Sequence, residues 1–302
     1  MGSREAAKTQ RSEAIAGVVT KESNICRSFR FDRQSAAPIV KPSHLAANRN
    51  YDCCVGSKMT SRETTSALAR RWDASVEREA ADWARLIGFG AIQWPWLLRS
   101  LYGGRKRDKA ALLVRLGLAP DALPNLGSWK ADTGLLTLIV DLIFEHRPKT
   151  VVELGAGAST LIAARAIQRA GYGGRLVSYD QHADFVAATS AWLADNDAAA
   201  EIRHAPIASP SGRWSDLWYD LDGVPDAINL LLIDGPPWVI DAQVRGKAQC
   251  LFDRMAPGAL VVLDDAARPG ERLVAKQWKR DWPMVEWHYV AGIKGTLIGR
   301  WP

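Results

Sequence analysis

The chain has 302 residues, of which 47% are hydrophobic and 24% are charged. This composition is typical of a folded globular protein and excludes a chain that is disordered throughout. The net charge of +6 would by itself suggest an anionic partner such as nucleic acid. However, residues 1–71 alone carry a formal charge of +7, which leaves −1 for residues 72–302. We therefore expect no nucleic-acid partner.

The cysteines and the lengths of the apolar runs indicate in which cellular compartment the protein is expected. The four cysteines are Cys26, Cys53, Cys54 and Cys250, with no CxxC pair and no histidines at zinc-ligand spacing. Neither a zinc site nor a disulfide framework is therefore predicted. No apolar run reaches the roughly 18 residues of a membrane span, and the N-terminal region lacks the apolar core of a signal peptide. We expect a cytoplasmic protein without a membrane span.

Two regions precede the predicted main domain. Residues 1–60 lack apolar periodicity and are rich in Ser, Arg, Lys and Asn, which predicts a disordered basic tail. Met59 directly precedes a helical pattern, which raises the hypothesis that the natural start lies there. Residues 61–128 are predicted to form an N-terminal helical cap, with one helix over 66–87 and another over 109–118. Pro95 is expected to limit the helix between them.

Residues 129–302 show the alternation of an α/β domain. Asp132 or Thr133 is predicted to cap an apolar helix that runs to Arg147. Runs rich in β-branched residues then alternate with helical stretches, and the predicted strands are 150–154, 175–179, 228–233, 259–263, 284–290 and 296–298. This pattern predicts a doubly wound, mostly parallel sheet. The last two strands lie close together in sequence, so we expect a hairpin with an antiparallel strand.

A glycine-rich loop follows the first predicted strand and leads straight into a helix. Glycines let a ligand approach the backbone, and the helix N-terminus offers free N–H groups. Asp180 ends the next predicted strand, 25 residues after Gly155, where a carboxylate can bind the two hydroxyls of a ribose. The candidate cofactor-binding residues are therefore Glu153, Gly155, Gly157, Ser159, Thr160 and Asp180.

Two adenosine cofactors, NAD and S-adenosylmethionine, fit Asp180 equally. A dinucleotide fingerprint has a third glycine where this chain has Thr160, so that helix and strand can close around a pyrophosphate. A ligand with adenosine and an amino-acid tail but no pyrophosphate fits the loop better. A nicotinamide-dependent oxidoreductase on a related fold is the alternative.

Two further predicted strands also end in carboxylates. Asp234 follows a buried strand and precedes a Gly-Pro-Pro turn, and Asp264 and Asp265 follow the next strand. Because the carboxyl ends of parallel strands share one edge of a sheet, these groups are candidate ligands for Mg²⁺ or Ca²⁺. The alternative is that Asp264 or Asp265 caps the next helix and pairs with Arg268.

Together these motifs resemble the class I S-adenosylmethionine-dependent methyltransferases over about residues 129–302. The resemblance implies a Rossmann-like, seven-stranded sheet with an antiparallel last strand. It also implies that Glu153, Gly155 and Gly157 wrap the methionine part of the cofactor while Asp180 binds the ribose. The Ile233–Pro237 turn (IDGPP) and the Asp264-Asp265 pair resemble a bacterial subgroup of methyltransferase-domain proteins.

A second resemblance is to metal-dependent O-methyltransferases of the catechol type. In that family a carboxylate after strand four and an Asp-Asn pair after strand five hold Mg²⁺, and Asp234, Asp264 and Asp265 fall at those places. Two departures stand out: Asp265 replaces the Asn, and Pro237-Trp238 replaces an expected lysine.

The expected reaction is methyl transfer to an oxygen or nitrogen of a small-molecule acceptor. The candidate catalytic groups are Asp234 and His204, with His288 as a further histidine. A non-catalytic, cofactor-binding regulatory module is a second alternative. The aromatic residues Trp214, Trp218, Tyr219 and Trp238 either line the ligand site or pack a loop onto the cap. The acceptor and the oligomeric state, including a homo-oligomer, are left open.

Overall fold

A computed structural model describes residues 76–127 and 130–302. The predicted tail, residues 1–60, and the beginning of the predicted cap lie outside the described residues. No helix of the described ranges is long and apolar enough to cross a membrane.

Two helices form the described part of the cap, α1 (Ala80–Ser100) and α2 (Lys106–Leu116). The expectation that Pro95 limits a helix is wrong, because Pro95 lies inside α1. Contacts with the main domain hold α1 on both sides of this proline. On one side Gly90 lies against Trp238, and on the other Trp96 contacts the Arg272 guanidinium. Such packing can offset the hydrogen bond that a proline removes from a helix.

Helix α3 (Thr133–His146) leads into the sheet and begins as the sequence predicts. The Asp132 side chain caps it by accepting a hydrogen bond from the Leu135 backbone N–H at 2.9 Å. Arg147 adopts a left-handed conformation at its end, and Pro148 follows.

The strands follow one another as β1 (Thr150–Leu154), β2 (Arg175–Asp180), β3 (Glu201–His204), β4 (Ile207–Ala208), β5 (Trp218–Tyr219), β6 (Ile228–Ile233), β7 (Met255–Leu263), β8 (Glu286–Val290) and β9 (Thr296–Arg300). Seven strands of the described chain form the main sheet, in the order β3-β2-β1-β6-β7-β9-β8. The first five are parallel, and β9 is antiparallel to both neighbours. The predicted Rossmann-like sheet with an antiparallel last strand is confirmed.

Helices cover both faces of this sheet and complete its core. They are α4 (Ala158–Ala170), α5 (Ala183–Asp195) and α6 (Pro269–Asp281), with 3₁₀ segments at Trp214–Asp216 and Val244–Arg254. Successive side chains of β1 enter opposite cores, since Val151 packs with α3 and α4 while Val152 packs with the aromatic residues of the other face. This period of two is that of a strand buried on both sides.

The small sheet formed by β4 and β5 was not predicted, and it belongs to the part of the chain that carries the aromatic loop. Trp214, Trp218 and Tyr219 are buried in the core beneath the main sheet. The Trp214 indole N–H donates to the Ile240 carbonyl at 2.7 Å. These three rings therefore pack the fold, whereas Trp238 is half-buried near the cap.

Backbone hydrogen bonds continue past the parallel strand ends and align the predicted site. The Gly155 N–H donates to Tyr179 O at 2.8 Å, the Asp234 N–H to Leu154 O at 2.9 Å, and the Asp264 N–H to Ile233 O at 3.0 Å. The glycine loop and the acidic strand ends therefore lie side by side at the carboxyl edge of the sheet, where ligands of open α/β folds bind.

Candidate functional site

The glycine loop joins β1 to α4 and packs against the turn that follows β6. Gly155 has φ +95°, and a Cβ atom there would lie 2.7 Å from the backbone nitrogen of Gly235. Only glycine permits this conformation and this approach of two backbones. At Gly157 the surroundings are open, because the nearest atom to a Cβ would be the Phe185 ring at 4.0 Å. A ligand can therefore reach the loop at Gly157.

Glu153 and Thr160 shape this loop from below. The Gly157 N–H donates to Thr160 Oγ1 at 2.8 Å, and that hydroxyl donates to Glu153 Oε2 at 2.6 Å. Ser178 also donates to Glu153 Oε2 at 2.6 Å. Glu153, Thr160 and the neighbouring Ser159 are all buried. The Thr160 hydroxyl thus links the loop to Glu153, which a glycine at this position could not do.

Asp180 ties the same loop to the end of β2. Its Oδ2 accepts from the Ala156 N–H at 3.2 Å, and its Oδ1 accepts from the His182 N–H at 2.9 Å. The carboxylate lies at the sheet edge beside the open part of the loop. Its two oxygens have further lone pairs with which to accept ligand hydroxyls.

Burial governs the protonation of both carboxyl groups. Desolvation raises the pKa of Glu153 to about 7 against the opposing hydrogen bonds of Ser159, Ser178 and Thr160. Desolvation likewise raises the pKa of Asp180 to about 7, although the backbone N–H groups of His182 and Ala156 oppose the shift. Charge on these groups is therefore costly until a ligand supplies donors.

The two histidines lie away from the end of β6. His204 is the exposed last residue of β3, in register with Asp180, and its Nε2 lies 3.0 Å from the Gln181 carbonyl oxygen. His288 is exposed on β8 at the opposite end of the strand order. Since β1 and β2 separate β3 from β6, His204 adjoins Asp180 and Asp234 lies two strands further on.

The three aspartates at the ends of β6 and β7 converge as the sequence predicts. One carboxylate oxygen from each of Asp234, Asp264 and Asp265 lies within 4.8 Å of the other two. We call this group, together with Glu271 of α6, the acidic edge. Asp234 is its most exposed member, with 18% of its side chain accessible, whereas at most 7% of each other side chain is accessible.

Arg245 lies at the centre of the acidic edge. Its Nη2 lies 3.1 Å from Asp234 Oδ1, and its Nη1 lies 3.0 Å from Asp265 Oδ2. The guanidinium also donates to the backbone carbonyls of Asp234 and Pro236. These contacts hold the turn after β6 and fix the direction of the Asp234 carboxylate.

Two more cations reach the same carboxylates. Arg268 contacts Asp265 and lies 3.0 Å from Glu271 Oε1. Lys294 Nζ lies 3.7 Å from Asp264 Oδ2 and 3.6 Å from Asp265 Oδ1. The predicted alternative of an Asp265–Arg268 pair is therefore present, but no side chain caps α6.

These charges shift the pKa values of the two neighbouring aspartates in opposite directions. Burial acts to raise the pKa of Asp265, but Arg268, Lys294 and Arg245 outweigh it and hold that pKa well below its usual range. Burial, followed by the charge of Asp265, raises the pKa of Asp264 well above its usual range. Two adjacent carboxyl groups in one buried site favour a single charge, and here Asp265 carries it.

The donor set does not fit a divalent cation. Mg²⁺ requires free carboxylate oxygens at about 2.1 Å, whereas Asp234 and Asp265 already share their oxygens with guanidinium groups. Three positive side chains also lie among these ligands and would repel the ion. The Mg²⁺ prediction for Asp234, Asp264 and Asp265 therefore lacks support in the geometry, although their convergence was expected correctly.

Comparison with known proteins adds a family to this geometry. The family described as "Methyltransferase domain" matches residues 152–266, which include the glycine loop and all the acidic strand ends. Residues 152–266 therefore carry a methyltransferase domain, which makes this chain an enzyme of the methyltransferase class. None of the curated proteins matches the methyltransferase in sequence.

Solved structures with a similar fold include two O-methyltransferases. The enzyme from Bacillus cereus in complex with SAH has 14% identity and a TM-score of 0.45, covering 72% of this chain and 100% of that one. TomG from Streptomyces achromogenes in complex with SAM has 17% identity and a TM-score of 0.43, covering 70% and 99%.

Three residues of the methyltransferase site were missed in the sequence. Arg245 lies 11 residues after Asp234 and Lys294 lies further along the chain, and no local pattern distinguishes either of them from surface cations. The sequence indicates Phe185, five residues after Asp180, only as part of an amphipathic helix and not as a neighbour of Gly157. Only the fold reveals these placements.

We predict that Glu153 makes the cofactor-free methyltransferase less stable as the pH rises. The folded protein holds the Glu153 proton with a pKa of about 7, above the ordinary value of 4.5. The contribution of this group to the free energy of unfolding is therefore complete below pH 4.5 and falls as the pH approaches 7, by at most about 1.4 kcal/mol per pH unit.

Glu153→Gln removes this titration, so its unfolding free energy should fall less steeply between about pH 5 and about pH 7. Urea unfolding at several pH values measures the slope. Asp253→Asn, at an exposed carboxylate, serves as the control and should keep the wild-type slope. Equal slopes in E153Q and the wild type would contradict the prediction.

Proposed function

We propose that this enzyme transfers the methyl group of S-adenosylmethionine to a hydroxyl oxygen, or to a nitrogen, of a small-molecule acceptor. One observation carries the proposal: an open glycine loop, the Asp180 carboxylate and the partly exposed Asp234 carboxylate lie side by side at one sheet edge. A cofactor bound to the loop would therefore have a proton acceptor next to it.

The residues around the loop fit the two ends of the cofactor. Asp180 is suited to the ribose hydroxyls, since both of its oxygens lie beside the loop backbone. The backbone of the open loop at Gly157 is suited to the polar amino-acid end, because N–H groups at a helix N-terminus bind anionic groups. Glu153 and Thr160 support this binding indirectly by fixing the loop.

Asp234 is the best candidate for the general base. Gly235, its neighbour, packs against Gly155, so Asp234 borders the cofactor loop directly. Arg245 fixes its direction, and 18% of the side chain remains accessible. A carboxylate held in this way can take the proton of an approaching hydroxyl or amine. His204 is disfavoured because it ends β3, and both β2 and β1 lie between that strand and β6.

The bound cofactor supplies a methyl group that its sulfonium has already activated. The protein therefore contributes mainly by aligning the acceptor and excluding water, and effective molarities show that alignment alone can be worth several powers of ten in rate. The acceptor would enter between the cap and the turn after β6, since α1 covers that turn through the Gly90–Trp238 contact.

We assign Gln93 and Trp238 to the acceptor side of this space. Gln93 lies one turn after Gly90 in α1 and is fully buried. Neither its amide atoms nor the Trp238 indole N–H has a hydrogen-bond partner among the described residues. Buried polar groups of this kind are usually paired with a ligand or water. A flat acceptor with polar substituents would satisfy them.

Binding of S-adenosylhomocysteine tests the cofactor assignment. Calorimetry with Asp180→Ala should show affinity weakened about 10- to 100-fold, because hydrogen bonds from the ribose hydroxyls to a charged group are lost. Asp253→Ala should bind as the wild type does. If NAD rather than S-adenosylhomocysteine raised the melting temperature of the wild type, the oxidoreductase alternative would replace this proposal.

Turnover tests the role of Asp234. Incubation with methyl-labelled S-adenosylmethionine and a panel of phenols, alcohols and amines should yield labelled product. Asp234→Asn should lower kcat by about 100-fold or more, since a general base contributes on this scale, and the affinity for S-adenosylhomocysteine should be retained. Cofactor binding without turnover of any acceptor would instead favour the non-catalytic module.

Gln93→Leu tests the acceptor side. The substitution removes a buried, unpaired amide, so the melting temperature should rise or stay unchanged. With an acceptor found in the panel, KM should rise by about tenfold while kcat and S-adenosylhomocysteine affinity change little. Ala91→Leu, at an exposed position of the same helix, is the control. An unchanged KM in Q93L would place the acceptor elsewhere.

A further inference from the structure

Three positively charged side chains enter the acidic edge from three separate parts of the chain. Arg245 belongs to the 3₁₀ segment after β6, Arg268 precedes α6, and Lys294 lies in the turn between β8 and β9. Each has at most 8% of its side chain exposed. Burial of three cations at one place is costly unless carboxylates compensate their charge. The buried cations and the carboxylates of the acidic edge therefore stabilise one another.

The Lys294 ammonium lies near oxygen atoms of Asp264, Asp265 and Lys130. The ammonium contacts carboxylate oxygens of Asp264 at 3.7 Å and Asp265 at 3.6 Å. It also donates a hydrogen bond to the backbone carbonyl of Lys130 at 2.9 Å. Only 3% of the side chain is accessible. The ammonium therefore occupies the space between the two neighbouring aspartates.

Arg245 occupies the corresponding position beside Asp234. Its two terminal nitrogens reach Asp234 and Asp265, so one guanidinium bridges the ends of β6 and β7. A divalent ion bridging strand ends would make the same connection. Unlike an ion, the guanidinium is covalently part of the chain and needs no free carboxylate oxygens.

We propose that Lys294, together with Arg245 and Arg268, is a built-in replacement for a divalent cation, so that methyl transfer by this enzyme needs no metal ion at the acidic edge. The part that concerns methyl transfer rests on the proposed function, whereas the part that concerns metal binding stands on the geometry alone. Lys294 is a positioning residue, because it acts through Asp264 and Asp265.

The lysine also joins the site to the segment that leads into α3. The carbonyl of Lys130 that accepts its hydrogen bond precedes Asp132, the N-cap of α3. The turn between β8 and β9 is held to the sheet as well, since the Ala266 and Ala267 N–H groups donate to the carbonyls of Gly295 and Lys294. One ammonium thus lies beside both aspartates and holds the turn that borders them.

Binding of Mn²⁺, followed by electron paramagnetic resonance, tests the replacement without any acceptor. Wild type should bind Mn²⁺ weakly. Lys294→Met removes the ammonium and keeps an unbranched side chain of similar length, so Asp264 and the Oδ1 atom of Asp265 lose their cation, and Mn²⁺ affinity should increase at least about tenfold. Lys276→Met, at an exposed lysine of α6, is the matched control and should bind Mn²⁺ as the wild type does. Adding Asp264→Asn to K294M should abolish the gain.

Two results would overturn the proposal. One is a wild-type protein that binds one Mn²⁺ per chain and loses it in Asp264→Asn. The other is a K294M variant that binds Mn²⁺ no more tightly than K276M. If K294M does not fold alone, Mn²⁺ added during refolding should restore its circular dichroism, and failure to do so also counts against the replacement.

The Mn²⁺-binding experiment and the test of the proposed function can fail independently of each other. Absence of S-adenosylhomocysteine binding to the wild type would contradict the cofactor assignment and leave the Mn²⁺ titrations unaffected. Conversely, a wild-type metal site would overturn the replacement while the cofactor still bound. Once an acceptor is known, EDTA should leave wild-type turnover unchanged, and a loss of turnover restored by added Mg²⁺ would contradict the proposal.

Discussion

The structure depends on compensation of the carboxylates that are buried where the parallel strands end. Each group is compensated differently: hydroxyls serve Glu153, loop N–H groups serve Asp180, and cations serve the aspartates after β6 and β7. Arg245 is the central member, because it joins two strand ends and the turn between Asp234 and Pro236. Without such partners, carboxylates at these depths would be strongly destabilising.

This compensation also separates the chemical roles along the sheet edge. At one end, Asp180 and the open loop leave hydrogen-bonding capacity for a ligand. At the other end, Asp264 and Asp265 are closed off by Lys294. Between them Asp234 is both oriented and partly accessible. A single row of acidic strand ends thus provides a cofactor site, a candidate base and a closed ionic support.

Sequence patterns predicted the sheet well because every such pattern depends on residues that are close together in the sequence. Alternation of strands and helices, the Asp132 cap and the hairpin of β8 and β9 all follow from neighbouring residues. Pro95 misled because packing of α1 on the main domain is not a local property. The convergence of Asp234, Asp264 and Asp265 was predictable from topology, whereas their cations were not, since Arg245 and Lys294 come from segments without a motif.

The sequence by itself determined the fold class, the glycine loop and the presence of carboxylates at the strand ends, because strand termini and turn chemistry are encoded by adjacent residues. Only the tertiary structure decided what those carboxylates contact. Electrostatic compensation acts through space over a few ångströms and is independent of distance along the chain, so the folded arrangement alone placed Lys294 between Asp264 and Asp265.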